Sequence, residues 1–169
     1  MKKFANLKKL TNYSKILRSS INNKYSTSNL IKFKLDDSQF TTYQPEGIEN
    51  FEGPKLEVEH DQNKLIDMYK TMVLVRRTEL AAEKAYKERK IRGFLHLYNG
   101  QEAVCVGIED AVTKEDHIIT AYRDHGFQLT RGDTAESVLS ELFGKVTGCA
   151  KGKGGSMHMY LKEKGFFGG

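Results

Sequence analysis

Apolar positions along this chain recur with two periods, and the switches between them predict its elements. From the start, Phe4, Leu7, Leu10, Tyr13, Leu17 and Ile21 fall three or four residues apart, on one face of a helix. Residues 31–35, Ile-Lys-Phe-Lys-Leu, alternate apolar and basic side chains, the pattern of a half-buried strand. Asp36 to Lys55 carries Pro45, Gly47, Gly53 and Pro54 and no sustained period, which predicts an extended linker or surface loop. Asp61 offers a cap to a helix running to about Lys90. Within it Leu65, Met68 or Tyr69, Met72 or Val73, Leu80, Ala81 and Tyr86 keep the helical period, a stripe broad enough to pack against two neighbours. Arg76 and Arg77 interrupt the stripe and predict ion pairing with a neighbouring element or a partner. The charges from Glu79 to Lys90 predict a solvated opposite face.

Gly93 ends this helix, and Phe94, Leu95, Leu97 and Tyr98 form a short apolar run around His96 before the Asn99-Gly100 turn signal. Gln101 begins a helix whose Ala103, Val104, Val106, Gly107 and Ile108 are nearly all small or apolar, so it is predicted to be buried on all sides. After a polar turn at Thr113 to Asp116, residues Ile118 to Tyr122 predict a short buried strand. Asp133-Thr134-Ala135-Glu136 resembles a capping box and starts a helix that buries Val138, Leu139, Leu142 and Phe143 and ends near Gly144. From Gly144 to Gly155 there are five glycines in twelve residues. Their backbone entropy forbids an isolated element, so this segment lies on a partner, wraps a ligand or stays mobile.

Charge changes the picture of the first stretch. Residues 1–35 hold eight Lys, one Arg and no acidic residue; the whole chain carries +5, so subtracting that +9 leaves residues 36–169 at −4. The basic pI belongs to the leader, and the body lacks the charge footprint of a nucleic-acid binder. A basic, acid-free, Ser-containing amphipathic start fits a mitochondrial transit peptide; a disordered tail and a helix lying on an anionic membrane are the alternatives. The predicted organisation is a leader over residues 1–30, an extended arm over 31–60 and a partial domain over 61–169. No stretch approaches the roughly 18 apolar residues of a membrane span. Cys105 and Cys149 are too few and too far apart for a disulfide framework or a structural zinc site.

Candidate chemistry gathers between Gly93 and Gly126. Tyr122-Arg123 follows a predicted strand, where an α/β sheet binds ligands. A guanidinium there can make bidentate bonds to phosphate, with a tyrosine hydroxyl as a second donor; as a bare dipeptide it is equally a surface charge. His96 is either a core histidine satisfied by a carbonyl or a proton carrier at a reacting centre. His125 can orient the arginine loop, and His117 reads as surface. Lys151-Gly152-Lys153-Gly154-Gly155-Ser156 lacks the order of a Walker A loop. It reads as a flexible cationic segment able to close over an anionic group or to sit at a subunit interface. Met157 and Met159 alternate around His158, so an extended strand there has a thioether-lined side. No metal-ligand spacing is present: Asp36-Asp37 and Glu57/Glu59 fall in loop-like sequence.

Three stretches in order, GFLHLYNGQEAVCVG, TAYRDHG and GCAKGKGGSMHMY, resemble the family of pyruvate dehydrogenase E1 component alpha subunits, thiamine diphosphate-dependent 2-oxo acid dehydrogenases. The resemblance runs from about Phe33 to Gly169. It implies an α/β, transketolase-like fold that binds thiamine diphosphate, here an incomplete N-terminal part, and an alpha2beta2 heterotetramer with an E1 beta subunit in the mitochondrial matrix. It further implies oxidative decarboxylation of pyruvate and transfer of the two-carbon unit to the lipoyl domain of E2. Carried over by position, Tyr122 and Arg123 match the family's diphosphate-contacting pair, His96 the histidine near the substrate end, and Leu161 a residue lining the cofactor pocket. The family's Mg²⁺-binding segment follows the stretch matched here, which leads to the expectation that these 169 residues alone hold no metal, bind the cofactor poorly and are inactive. A non-catalytic paralogue or beta-subunit interaction piece, and a branched-chain 2-oxo acid dehydrogenase alpha subunit, are the alternatives.

Overall fold

The structure is a computed structural model and describes residues 29–34, 47 and 55–169. The amphipathic leader, Leu35 and almost all of the predicted linker lie outside the described residues. Two units follow one another in the chain, residues 1–63 and 64–169.

In the first unit β1 (Leu30–Lys34) pairs antiparallel with β2 (Glu57–Asp61), with Ile31 opposite His60, Lys32 opposite Glu59 and Phe33 opposite Val58. Side chains alternate across a strand, so Ile31, Phe33 and Val58 share one face. Lys32 and Glu59 form an ion pair of 2.6 Å on the other. The expected strand is present, but every residue of β1 is exposed rather than half-buried. The carboxylates Glu57 and Glu59, expected in a loop, sit on β2. Its Glu-Val-Glu-His-Asp sequence has a single apolar residue, too little alternation to register as a strand.

α1 (Gln62–Lys87) supplies the spine of the second unit, joined by α2 (Glu102–Ala111), α3 (His125–Thr130) and α4 (Ala135–Leu142). Its core is Val75, Ala82, Ala85, Ile91, Tyr98, Cys105, Val106, Leu129, Val138, Leu142 and Met159, with Met68 and Met72 packed at the margin. The buried face of α1 is therefore Val75, Thr78, Glu79, Ala82 and Ala85, whereas Leu80, Ala81 and Tyr86 of the predicted stripe are exposed. The broad stripe held two overlapping faces, and the small residues won the interior because they let other segments approach closely. Glu79, expected on the solvated side, is wholly buried. α1 also stops earlier than predicted: Arg89 takes a left-handed conformation (φ 58°) and the Lys90 N–H bonds to the Ala85 carbonyl. That bond closes a Schellman-type end without a glycine.

α2 is amphipathic, not buried on all sides. Glu102, Cys105 and Val106 face inward, while Val104 and Ile108 are exposed. The ion pair foreseen for the Arg76-Arg77 pair is made by Arg76, whose Nε and Nη2 reach Glu102 Oε1 and Oε2 at 2.5 and 3.0 Å. α3 was not foreshadowed by any period. It packs so closely that a Cβ on Gly126 would stand 2.7 Å from the Tyr98 ring and 2.9 Å from Cys105 Sγ. The cap of α4 falls one residue later than the capping-box reading: Thr134 accepts from the Ser137 N–H at 3.0 Å, and Phe143 is exposed.

The predicted buried strand over Ile118–Tyr122 is an extended edge segment instead. Ile118 makes a parallel bridge with Phe166, through Ile118 N–H to the Gly165 carbonyl and Phe167 N–H to the Ile118 carbonyl, each 2.9 Å. Thr120 N–H continues the ladder to the Gly168 carbonyl at 2.8 Å. Nothing described pairs on the other side, and Ile119 is 78% exposed. The described residues thus form a small mixed helix-and-strand fold whose one two-stranded sheet is the β1–β2 hairpin.

Candidate functional site

Two buried glutamates organise the loops that carry the candidate residues. Glu79, on α1, accepts the Tyr98 N–H at Oε2 and the His125 Nδ1–H at Oε1, both at 2.8 Å. With Nδ1 donating, His125 Nε2 is left as an acceptor, and the Ser156 hydroxyl lies 2.9 Å from it. Ser156 Oγ in turn accepts the His96 N–H at 2.8 Å. The chain Glu79–His125–Ser156 therefore grips the 94–98 loop at two amides, and its three side chains are buried. His125 does not orient the arginine loop directly, as sequence position alone suggested; its ring lies between Glu79 and Ser156.

Glu141, on the inner face of α4, does the same for the glycine-rich segment. The N–H groups of Ala150 and Gly152 donate to its Oε2 at 2.8 Å, and those of Gly154 and Gly155 to its Oε1 at 2.7 and 3.1 Å. Of the three fates open to five glycines in twelve residues, the structure selects wrapping, and the wrapped group is the chain's own carboxylate. Glycine is required for the fit: a Cβ on Gly152 (φ 73°) would collide with the Gly144 carbonyl. The thioether-lined strand expected beyond it is not formed, since Met159 is buried and Met157 is exposed.

Against these saturated carboxylates stands a cluster with polar capacity left over. Arg123 adopts φ 69°, unusual for a residue with a Cβ. Its Nη1 donates to the Leu97 carbonyl at 2.6 Å, and its Cζ lies 5.4 Å from the Tyr122 ring centroid. Among the described residues no partner is recorded for its Nε and Nη2 or for the Tyr122 hydroxyl, and Tyr122 is 54% exposed. The His96 ring sits edge-on to Tyr122, centroids 4.8 Å apart, and tilted against Phe94 at 4.5 Å. Among the described residues its buried Nδ1 has no hydrogen-bond partner, so none of their carbonyls satisfies that nitrogen. Burial first, and then the positive charge of Arg123, push the His96 pKa below its ordinary value. Next to Arg123, burial raises the Asp124 carboxyl to about 6; one oxygen accepts the Met159 N–H at 3.0 Å and the other has no partner.

Leu161 is half-buried and exchanges two backbone bonds with Phe166, at 2.9 and 3.1 Å. Through the Leu161–Phe166 and Phe166–Ile118 bridges it joins the edge segment that ends in Tyr122. No direct bond links its side chain to His96 or Arg123 among the described residues. Arg131 steadies the same segment. Its buried guanidinium donates to the carbonyls of Lys164, Asp116, Thr113 and Lys114 at 2.6 to 3.3 Å, and its Nη1 lies 3.4 Å from Glu109. Glu79, Glu141, Ser156 and Arg131 were all missed as organising residues. For Glu141 a signal existed, a carboxylate beside Leu142 on the apolar face of α4, just ahead of a run of glycines. For Glu79 a charged neighbourhood masked it.

Unspent donors on Arg123 and Tyr122, beside a neutral imidazole, suit an anionic group. Among the described residues there is no cluster of three His, Cys, Asp or Glu side chains that could hold a metal ion.

Residues 70–169 match the family model described as "Dehydrogenase E1 component". The chain is 56% identical over 116 residues to pyruvate dehydrogenase E1 component subunit alpha-1, mitochondrial, of Arabidopsis thaliana, covering 69% of this chain and 30% of that protein. It is 48% identical over 142 residues to the mitochondrial alpha subunit of Saccharomyces cerevisiae, covering 84% of this chain and 32% of that protein. To the corresponding subunit of Kluyveromyces lactis it is 42% identical over 171 aligned positions, covering 99% of this chain and 40% of that protein. The chain thus spans about a third of the length of the curated relatives it matches.

Proposed function

This chain belongs to the dehydrogenase E1 component family, and from that premise we propose that it carries the diphosphate-gripping part of a pyruvate dehydrogenase E1 alpha subunit, working in the mitochondrial matrix with an E1 beta subunit. The observation that carries the reading is the concentration of unspent polar groups at Tyr122, Arg123 and His96. Buried polar atoms in a folded protein are normally paired, so the unpaired His96 Nδ1 beside the spare donors of half-buried Arg123 marks where a charged ligand fits, with the exposed Tyr122 hydroxyl open to the same ligand.

Thiamine diphosphate is the group these residues suit. Arg123 Nε and Nη2 present a fork to one anionic end, with the Tyr122 hydroxyl as an additional donor. The Leu97 carbonyl holds the guanidinium through Nη1, so little side-chain freedom is lost on binding. Leu161 lies along the same edge and contributes an apolar wall. When bound, this cofactor supplies an electron sink for the carbon–carbon cleavage of a 2-oxo acid. His96 has its pKa held below the ordinary imidazole value and, among the described residues, an Nδ1 without a partner, which suits it to hold or pass a proton at the substrate end. Mg²⁺ would be held by residues beyond those described, in a fold of the transketolase type shared between alpha and beta subunits. The two-carbon unit would pass to a lipoyl group of E2.

The test is made in a polypeptide of the relatives' full length assembled with a beta subunit. Arg123→Ala is expected to weaken thiamine diphosphate binding by about 1.5–3 kcal/mol, the worth of a charge-assisted bond. Unchanged affinity would remove Arg123 from the site. Pyruvate decarboxylation that needs no thiamine diphosphate would remove the whole reading.

A further inference from the structure

Ser156 is the point where the two glutamate-organised loops meet. It follows directly on the four amides captured by Glu141, and its hydroxyl is shared between His125 Nε2 and the His96 N–H, at 2.9 and 2.8 Å. Nothing else bonds the backbone of His96 to another part of the fold among the contacts described. The hydroxyl proton is committed to His125 Nε2, because Nδ1–H is committed to Glu79. The oxygen lone pair is then the acceptor available to His96. Each link is polarised by the next, and the chain ends on a buried carboxylate.

We propose that the glycine-rich segment is a positioning device for His96: Glu141 sets the loop, the loop delivers Ser156, and Ser156 fixes the peptide from which the His96 imidazole projects beside Tyr122. Glu141, Ser156 and His125 are positioning residues, not groups that touch a ligand. The three lysines in the segment, Lys145, Lys151 and Lys153, are exposed; the amides of Ala150, Gly152, Gly154 and Gly155 face inward onto Glu141 and are unavailable to an external anion. This assignment rests on the reading of His96 as a site residue, but the geometry it describes is independent of any cofactor.

The size and charge of Glu141 make separable demands. Glutamine has the same shape but turns one oxygen into an NH₂ group, which would face two N–H donors across the nest. Glu141→Gln therefore loses two of four bonds and gains a clash of donors, and is expected to behave nearly as badly as Glu141→Ala. In Glu141→Ala the emptied nest is a hole lined by N–H groups and sized for a small carboxylate, so formate is expected to restore part of the lost order.

The experiment is residue-resolved amide hydrogen exchange on the 169-residue chain, wild type against Ser156→Ala, Ser156→Thr, Glu141→Gln and Glu141→Ala with and without formate. Loss of the hydroxyl in Ser156→Ala is expected to speed exchange at His96 about tenfold, the worth of one hydrogen bond, while α1 stays protected. Ser156→Thr, which keeps the hydroxyl, is expected to restore protection. Both Glu141 variants are expected to release Ala150, Gly152, Gly154 and Gly155 and, with them, His96; formate reverses this only in Glu141→Ala. His96 protection untouched by Ser156→Ala overturns the proposal. So does a wild-type pattern in Glu141→Gln, loss of α1 protection together with His96 in Ser156→Ala, or release of the glycine loop without His96. Failure of Arg123→Ala to affect thiamine diphosphate would count against the functional reading and leave this positioning result as measured.

Discussion

The nest around Glu141 and the cluster around Arg123 are both polar, and they are opposites. In the nest two carboxylate oxygens meet four N–H groups, every donor has a partner, and the side chain is buried. In the cluster a guanidinium spends one nitrogen on Leu97, a tyrosine hydroxyl has no described partner, and an imidazole nitrogen is buried and unpaired. Backbone strain alone does not separate them, since Lys151 in the nest (φ 56°) and Arg123 in the cluster (φ 69°) both hold a left-handed backbone with a Cβ; what separates them is the donors that Arg123 keeps. A saturated polar group is architecture. A strained residue with donors left over is what a ligand would complete.

The contrast can be broken most forcefully at Glu141. Glu141→Gln leaves two buried N–H groups facing a donor, and a loss of about 4 kcal/mol in urea unfolding is expected; a loss below about 1 kcal/mol would mean the nest is ornamental. Asp124, next to Arg123, tests the same idea through pH. Its folded-state carboxyl is raised from 3.8 to about 6 by burial, so the folded state holds the proton across that window and the unfolded state does not. Stability should therefore fall as pH rises from about 4 to 6, by up to about 3 kcal/mol, and Asp124→Asn should abolish that slope. Glu102 runs the other way: Arg76 holds its carboxyl down to about 2 from 4.5. The stability it contributes is present above 4.5 and lost as pH falls toward 2, and Arg76→Met should remove that acid-side slope. The smallest effects belong to the cluster itself. Tyr122→Phe and Arg123→Gly are expected to change unfolding free energy by less than about 1 kcal/mol, because relief of the left-handed backbone offsets the lost bond to Leu97. A large loss at either would make the cluster architecture too.

Much of this was legible in the sequence, for reasons that differ by element. The helical period located α1, and Thr134 with its neighbours located the start of α4 within one residue. The stripe on α1 was misjudged because Leu80 and Tyr86 are strongly apolar, whereas Ala82, Ala85 and Glu79 pack inward. Hydrophobicity ranks residues by their attraction to an interior; it does not say that Glu79 will be drawn inward to meet the Tyr98 N–H and the His125 ring. The Ile118–Tyr122 strand had the right composition, yet a strand needs neighbours, and only the Gly165–Gly168 side is paired here. α3 is six residues with Gly126, Gln128 and Thr130 inside it, a helix made by tertiary packing against α2 and α4. The candidate triplet Tyr122, Arg123 and His96 was named from residue chemistry, and the structure brings the two rings and the guanidinium together. What sequence could not convey was that carboxylates far away in the chain, Glu79 and Glu141, prepare the backbone on which that triplet stands.

The measurement that bears most directly on the distinction is a titration of the chain with inorganic pyrophosphate, read by side-chain and amide nuclear magnetic resonance. The account predicts shifts confined to Arg123 Nε, the Tyr122 ring and His96, abolished by Arg123→Ala, with the Ala150–Gly155 amides still. Movement of those loop amides while Arg123 stays unperturbed would contradict it.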